Sequence, residues 1–280
     1  MSASPDRIEA LRRRLARIED RQPVNADRFD LGHHAADAVL GGLSRRGLHE
    51  IYPGTSADMA SADGFALGLA ARAAKGGYIV WVAQAVAVSE AGLPYGEGLK
   101  EWGLDPGRVL FVRTPDARSL LVAAEDALKS GAVAAVMMSV WGEPRVLGLT
   151  AERRLSLAAQ TGSMALLVRA HAEPSPGAAE TRWSIRSVSS KPLEADAPGR
   201  PTLGVKLVRS RTGAAPEEWI MEWDNETKCF VQPAPISGGM VPLPADRPAA
   251  AMGHGDGLRG FRSAARSDRQ DQRGIAAFRR

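Results

Sequence analysis

Cysteine is nearly absent. Cys229 is the single one in 280 residues, which excludes an intrachain disulfide framework and a cysteine-based zinc site. The five histidines, at positions 33, 34, 49, 171 and 254, lack metal-ligand spacing. His33 and His34 are adjacent, so they cannot both face one ion from a regular element, and they read as ordinary polar loop residues. No Ser/His/Asp pattern stands out, and no metal or cofactor is expected. Aromatic residues are 5% of the chain. No apolar run reaches the roughly 18 residues needed to cross a bilayer. The opening residues Met1 to Arg7 lead into an Arg-rich stretch rather than a secretory core, so a cytoplasmic location is expected.

A strong charge of one sign is also lacking. The formal net charge is +4, and the segment from Gly253 to Arg280, with seven Arg and three Asp, accounts for all of it. The remainder is balanced, which argues against a broadly basic nucleic-acid binder. A weak DNA or acidic-partner contact through Arg259, Arg262, Arg266, Arg269, Arg273, Arg279 and Arg280 stays open. Leu258, Phe261, Ile275 and Phe278 are sparse apolar anchors among those arginines. The prolines at 233, 235, 242, 244 and 248 break any regular element, so residues 233–280 read as a Pro/Arg-rich, disordered tail.

What is present is 44% hydrophobic residues, enough for a sizeable core. Residues 1–22 contain an amphipathic helix: Ile8, Leu11, Leu15 and Ile18 fall on one narrow stripe, with Arg12, Arg13, Arg14 and Arg17 covering much of the rest. Docking on its own domain and docking on a partner, or on a second copy, both fit this stripe. Residues 22–47 read as a linker and a loop leading into the first strand.

The chain is organised around the stretch from Gly47 to Ser61. It reads as a buried strand, a small-residue turn and a helix over about 61–75. These are the parts of a phosphate-binding loop, in which helix N-terminal N–H groups, a Lys and a hydroxyl hold phosphates and magnesium. In that register the loop residues Gly54, Thr55 and Ser56 precede Asp58 at the second Gly, Met59 at the Lys and Ala60 at the hydroxyl. A carboxylate stands where phosphate charge would arrive, so the scaffold reads as one that has lost hydrolysis.

Strands and helices then alternate. Strands are expected over 78–83, 108–113, 132–140 and 163–169, with helices ending near 103 and spanning 117–130 and 151–160, the last capped by Thr150. This rhythm predicts an α/β fold with a mostly parallel sheet. Alternating segments at 183–189, 203–209, 219–223 and 229–231 predict an antiparallel extension, with Lys191 to Pro201 a mobile loop. Residues 23–232 form the expected core. Trp81 falls in a buried-strand pattern. Trp141 ends a strand at the edge where parallel sheets bind ligands.

Three blocks resemble RecA-type recombinases: Leu40 to Tyr52 at the nucleotide loop, Leu104 to Leu110, and Ser130 to Ser139 at the strand that carries the magnesium-side acid. The resemblance covers about 29–224 and implies a RecA-like fold. It puts Ser139 where the metal carboxylate would be, and Ala83-Gln84-Ala85 where a catalytic Glu would lie. Phosphoryl transfer rests on positioning and electrostatics, and the Lys, hydroxyl, metal acid and base are all missing. No catalytic residue is assigned. Glu50 reads as a structural residue beside the loop.

A degenerate RecA-like core with an N-terminal helix and a basic tail resembles the ImuA family of bacterial translesion-synthesis accessory proteins. That resemblance implies a non-catalytic, SOS-induced adaptor. Its partners would be ImuB, an error-prone C-family DNA polymerase and RecA. An atypical nucleotide-binding switch and a weak DNA-binding RecA-like module are the alternatives.

Overall fold

The computed structural model of the protein describes residues 27–193, 197 and 199–233. The described residues form a nine-stranded sheet flanked by helices and a small two-stranded sheet. The elements, in order, begin with β1 (Arg28–Phe29), α1 (His34–Leu40), β2 (Leu43–Ser44), β3 (Leu48–Pro53), α2 (Met59–Ala74) and β4 (Ile79–Gln84). They continue with α3 (Ala85–Ala91), α4 (Gly96–Glu101), β5 (Val109–Thr114), α5 (Ala117–Lys129), β6 (Ala135–Trp141), α6 (Leu149–Ala159) and β7 (Met164–Ala170). The last strands are β8 (Thr181–Ser187), β9 (Thr202–Ser210), β10 (Glu217–Asp224) and β11 (Cys229–Val231).

The large sheet has the order β11-β10-β9-β8-β3-β7-β6-β4-β5. From β8 to β5 all pairings are parallel, and from β8 to β11 they are antiparallel. This is the RecA-like α/β arrangement, with its antiparallel extension. The central strands β4, β6 and β7 are apolar without alternation because helices cover both faces of the sheet.

Helix α2 lies on one face, with 11 of its 16 residues buried. Its small residues make room for rings. A Cβ on Gly64 would stand 2.7 Å from the Trp102 ring, and one on Gly68 would stand 2.5 Å from Phe230. Glycine costs a helix about 1 kcal/mol against alanine; here it admits a chain of aromatic contacts. Trp102 meets Trp223 at 5.0 Å, Trp223 meets Phe230 at 5.0 Å, and Phe65 meets both Phe230 and Trp183. Helices α5 and α6 cover the opposite face through Leu120, Ala124, Leu128, Leu155 and Ala158.

Several expectations are corrected. The supposed linker over 22–47 contains, in its described part, β1, α1 and β2. His33 is not a loop residue at large: it is buried and caps α1, its ring Nδ1 accepting the Ala36 N–H at 3.3 Å. Burial lowers its pKa, against the raising influence of Asp37. Gly148, not Thr150, is the N-cap of α6. Helix α2 begins at Met59, two residues before Ser61, after a 3-10 turn at Ser56–Asp58. Strand β6 begins at Ala135, because Gly131 turns the chain at φ 65 after α5. The described residues between Lys191 and Pro201 lie in neither helix nor strand.

Glu50 is the centre of a buried charge network. It is fully buried on β3, 2.5 Å from Arg182 of β8 and 3.7 Å from Arg169 of β7. Arg169 also faces Glu152 of α6 at 3.7 Å and donates to the Tyr52 hydroxyl at 3.1 Å. Burial raises the Glu50 pKa, as does Glu152, while Arg182 pulls it down. Two acids and two arginines balance, which is the condition for keeping charges inside.

Candidate functional site

The loop after β3 lies at the carboxyl edge of the sheet, where β3 is flanked by β7 and β8. Ligands of open parallel sheets bind at such edges. Several of the loop's own donors are already used. The Gly54 N–H bonds the Ile185 carbonyl at 2.6 Å. The Thr55 N–H and hydroxyl bond one oxygen of Asp58, at 2.9 and 2.8 Å. The Ser187 N–H and hydroxyl bond its other oxygen, at 2.7 and 2.9 Å. The Asp58 N–H returns to the Thr55 carbonyl at 3.0 Å, closing a reciprocal cap. Burial pushes the Asp58 pKa up, but the bonds from Ser187 and Thr55 outweigh it and hold the carboxyl below the usual range. An internal carboxylate thus collects donors of the kind that would face an anion.

Met59 is buried in the core and offers no ammonium; Ala60 is exposed and offers no hydroxyl. Ser56 begins the 3-10 turn. In front of the loop is a cleft of about 410 Å³ lined by Gly54, Thr55, Ser56, Glu143, His171 and Glu173 among others. Two carboxylates and no Lys or Arg face it. Glu143 accepts the Glu173 N–H at 2.9 Å, and His171 stacks on Trp141 at 4.4 Å. Such a cleft repels a polyphosphate.

Ser139 is buried on β6. Its hydroxyl accepts from the Trp81 indole at 2.9 Å and donates to Asp63 at 3.2 Å. Asp63, a carboxylate on α2 bonded to Ser139, is a residue that sequence reasoning missed. Burial pushes its pKa up to about 7, against the Ser139 hydrogen bond. The signal was the lone acid in the mostly small and apolar run Met59–Ala74. Gln84 ends β4 as a neutral amide and accepts the Trp141 N–H at 2.8 Å.

Gly54, Thr55, Ser56, Asp58 and Met59 lie together in the loop and helix start after β3, while Ser139 stands on β6, bonded to Asp63 of α2. The stripe Ile8, Leu11, Leu15, Ile18, the anchors Leu258, Phe261, Ile275, Phe278 and the tail arginines lie outside the described residues. Among the described residues no group of three or more His, Cys, Asp or Glu could hold a metal ion, and no helix is long and apolar enough to cross a membrane.

No family model matches the chain. It is similar to Protein ImuA of Caulobacter vibrioides strain NA1000 / CB15N, with 32% identity over 200 residues, 65% of this chain and 77% of that protein. The same figures hold for Protein ImuA of strain ATCC 19089 / CIP 103742 / CB 15 of that species. At that identity and coverage, and with a RecA-like sheet, the chain belongs to the ImuA family.

Proposed function

We propose that this chain is a non-catalytic adaptor in the SOS-induced mutagenic response to DNA damage. It would support error-prone translesion synthesis by holding proteins together in the cytoplasm. ImuB, an error-prone C-family polymerase and RecA are the proposed partners. Membership of the ImuA family supports the setting. The observation that carries the adaptor reading is Asp58: its carboxylate takes the Thr55 and Ser187 donors, and no Lys or Arg lines the cleft. A fold kept without its chemistry leaves surfaces as the working parts.

Under this proposal, residues 1–22 and 233–280 dock partners, through the Ile8–Ile18 stripe and through the apolar anchors and arginines of the tail. Residues 23–232 are the platform. Pull-down of the full chain, and of truncations lacking residues 1–22 or 252–280, against the three partners tests it. Loss of one partner with one truncation supports the assignment of that segment. Failure of the full chain to bind any of the three rejects the mutasome role.

A further inference from the structure

Helices α5 and α6 lie side by side, and their outer surfaces bound a groove of about 220 Å³. Its apolar lining is Leu121, Val122, Val146, Ala151 and Leu155. Val122 is 57% exposed and Val146 is 37% exposed. Leu149, at the first position of α6 beside this lining, is exposed too. The fold does not require these side chains outside. The inward stripe of α5 is Leu120, Ala124 and Leu128, all fully buried against the sheet; Leu121 packs partly against that core, and Val122 is turned to the outside. Apolar side chains gathered beside a concave groove mark interaction surfaces better than scattered ones do.

The charge on this groove has a sign. Its charged lining residues are Arg118, Glu125 and Arg154. Glu125 is held by two cations, Lys129 at 2.5 Å and Arg154 at 2.8 Å, and these hold its carboxyl below the usual range. Arg118 makes no ion pair within 4 Å among the described residues, and neither does exposed Arg145 beside Val146. Asp116 is engaged in capping α5, accepting the Ser119 N–H at 2.8 Å, and Asp126 lies outside the lining. The groove is apolar with a cationic rim.

We propose that this groove docks a short amphipathic helix of another protein whose apolar face is flanked by carboxylates. Helix-in-groove recognition uses apolar anchors spaced i, i+3, i+4 and i+7, and complementary rim charge selects the partner. The flanking parts of this chain fit less well. Residues 5–20 carry five Arg and four acids, and residues 253–280 carry seven Arg and three Asp, so neither brings acidic surplus to a cationic rim. The groove lies on the folded core, so this docking is independent of the terminal contacts proposed above.

Fluorescence anisotropy on the full chain tests it, with synthetic helical peptides of about 16 residues. Two share one Leu stripe, flanked by Glu in one and by Lys in the other; a third carries residues 5–20 of this chain. The Glu-flanked peptide is expected to saturate, and the Lys-flanked one to bind roughly tenfold more weakly or not at all. Val122→Asp and Val146→Asp should each weaken the Glu-flanked peptide roughly tenfold. Arg118→Glu should weaken it and strengthen the Lys-flanked one. All three side chains are exposed, so melting temperatures should not move, and the two valine variants serve as checks on each other. Absence of saturable binding, equal binding of the Glu and Lys peptides, or indifference to all three variants overturns the proposal. So does tighter binding by the peptide of residues 5–20, or a self-associated form in sedimentation that Val122→Asp dissociates.

Discussion

Asp58 and Ser187, 129 positions apart, meet through two hydrogen bonds to one carboxylate oxygen, from the Ser187 N–H at 2.7 Å and its hydroxyl at 2.9 Å. The second oxygen takes Thr55. One side chain therefore fixes the loop after β3 to the end of β8 and satisfies donors that would otherwise be open to an anion.

Asp58→Ala should destabilise the fold by about 1–3 kcal/mol, the usual penalty for leaving buried donors unpaired, read by urea denaturation. The folded pKa of Asp58 lies below its unfolded value. Its contribution is thus fully present above about pH 4, the ordinary carboxyl range, and is lost as pH falls through the folded pKa. The gap between wild type and Asp58→Ala should stay constant from neutral pH to about pH 5 and close in stronger acid. A variant as stable as wild type at neutral pH would show that these bonds do not hold the loop.

Asp63 has the opposite sign. Its pKa is raised to about 7 by burial, so the native state binds a proton more tightly than the unfolded chain. Stability is then highest below the ordinary carboxyl pKa and falls as pH rises towards 7. Asp63→Asn keeps a polar partner for Ser139 and removes the ionisation. It should raise the melting temperature at pH 8 and leave it almost unchanged at pH 4. Equal effects at both pH values would mean that Asp63 is ionised throughout.

Much of the fold was legible because β4, β6 and β7 are continuous apolar runs separated by helical ones, and the Asp224–Thr227 turn between β10 and β11 has clear turn residues. The identities of Asp58, Met59 and Ala60 in the loop were legible. What Asp58 gained was not, because Ser187 lies 129 residues away and no local pattern links the two. Helix α1 was missed since seven residues with His33 as cap give weak periodicity. Glu50 sits beside His49 in a strand, and its partners Arg169 and Arg182 are brought to it only by the order β8-β3-β7.

That buried network makes a third prediction. Glu50→Gln removes a charge and leaves Arg182 uncompensated, which should cost about 3–5 kcal/mol in chemical denaturation. The double variant Glu50→Leu with Arg182→Met removes the closest pair together and should lose much less than the sum of its single variants. Additive losses would show that the two charges do not depend on each other.

Gly177 offers a fourth. A Cβ there would run into the Glu152 carboxylate and crowd Arg182, so Gly177→Ala should displace Glu152 from the Ala178 N–H it accepts at 2.8 Å. A lower melting temperature, by several degrees for a loss of about 1–3 kcal/mol, is expected. An unchanged melt would place the 177–178 turn outside the network.

Calorimetric titration of the full chain with MgATP, paired with thermal melts at millimolar nucleotide, tests most directly whether the loop has been closed by its own carboxylate. No saturable heat and no rise in melting temperature are predicted, because Asp58 holds the Thr55 and Ser187 donors and no Lys or Arg lines the cleft. Saturable binding with a Kd near 0.1 mM would add about 2.7 kcal/mol of stability at hundredfold excess over Kd, a shift easily seen. Such binding, abolished by substitution at Thr55 or Ser56, would contradict the adaptor reading and return the protein to the nucleotide switches.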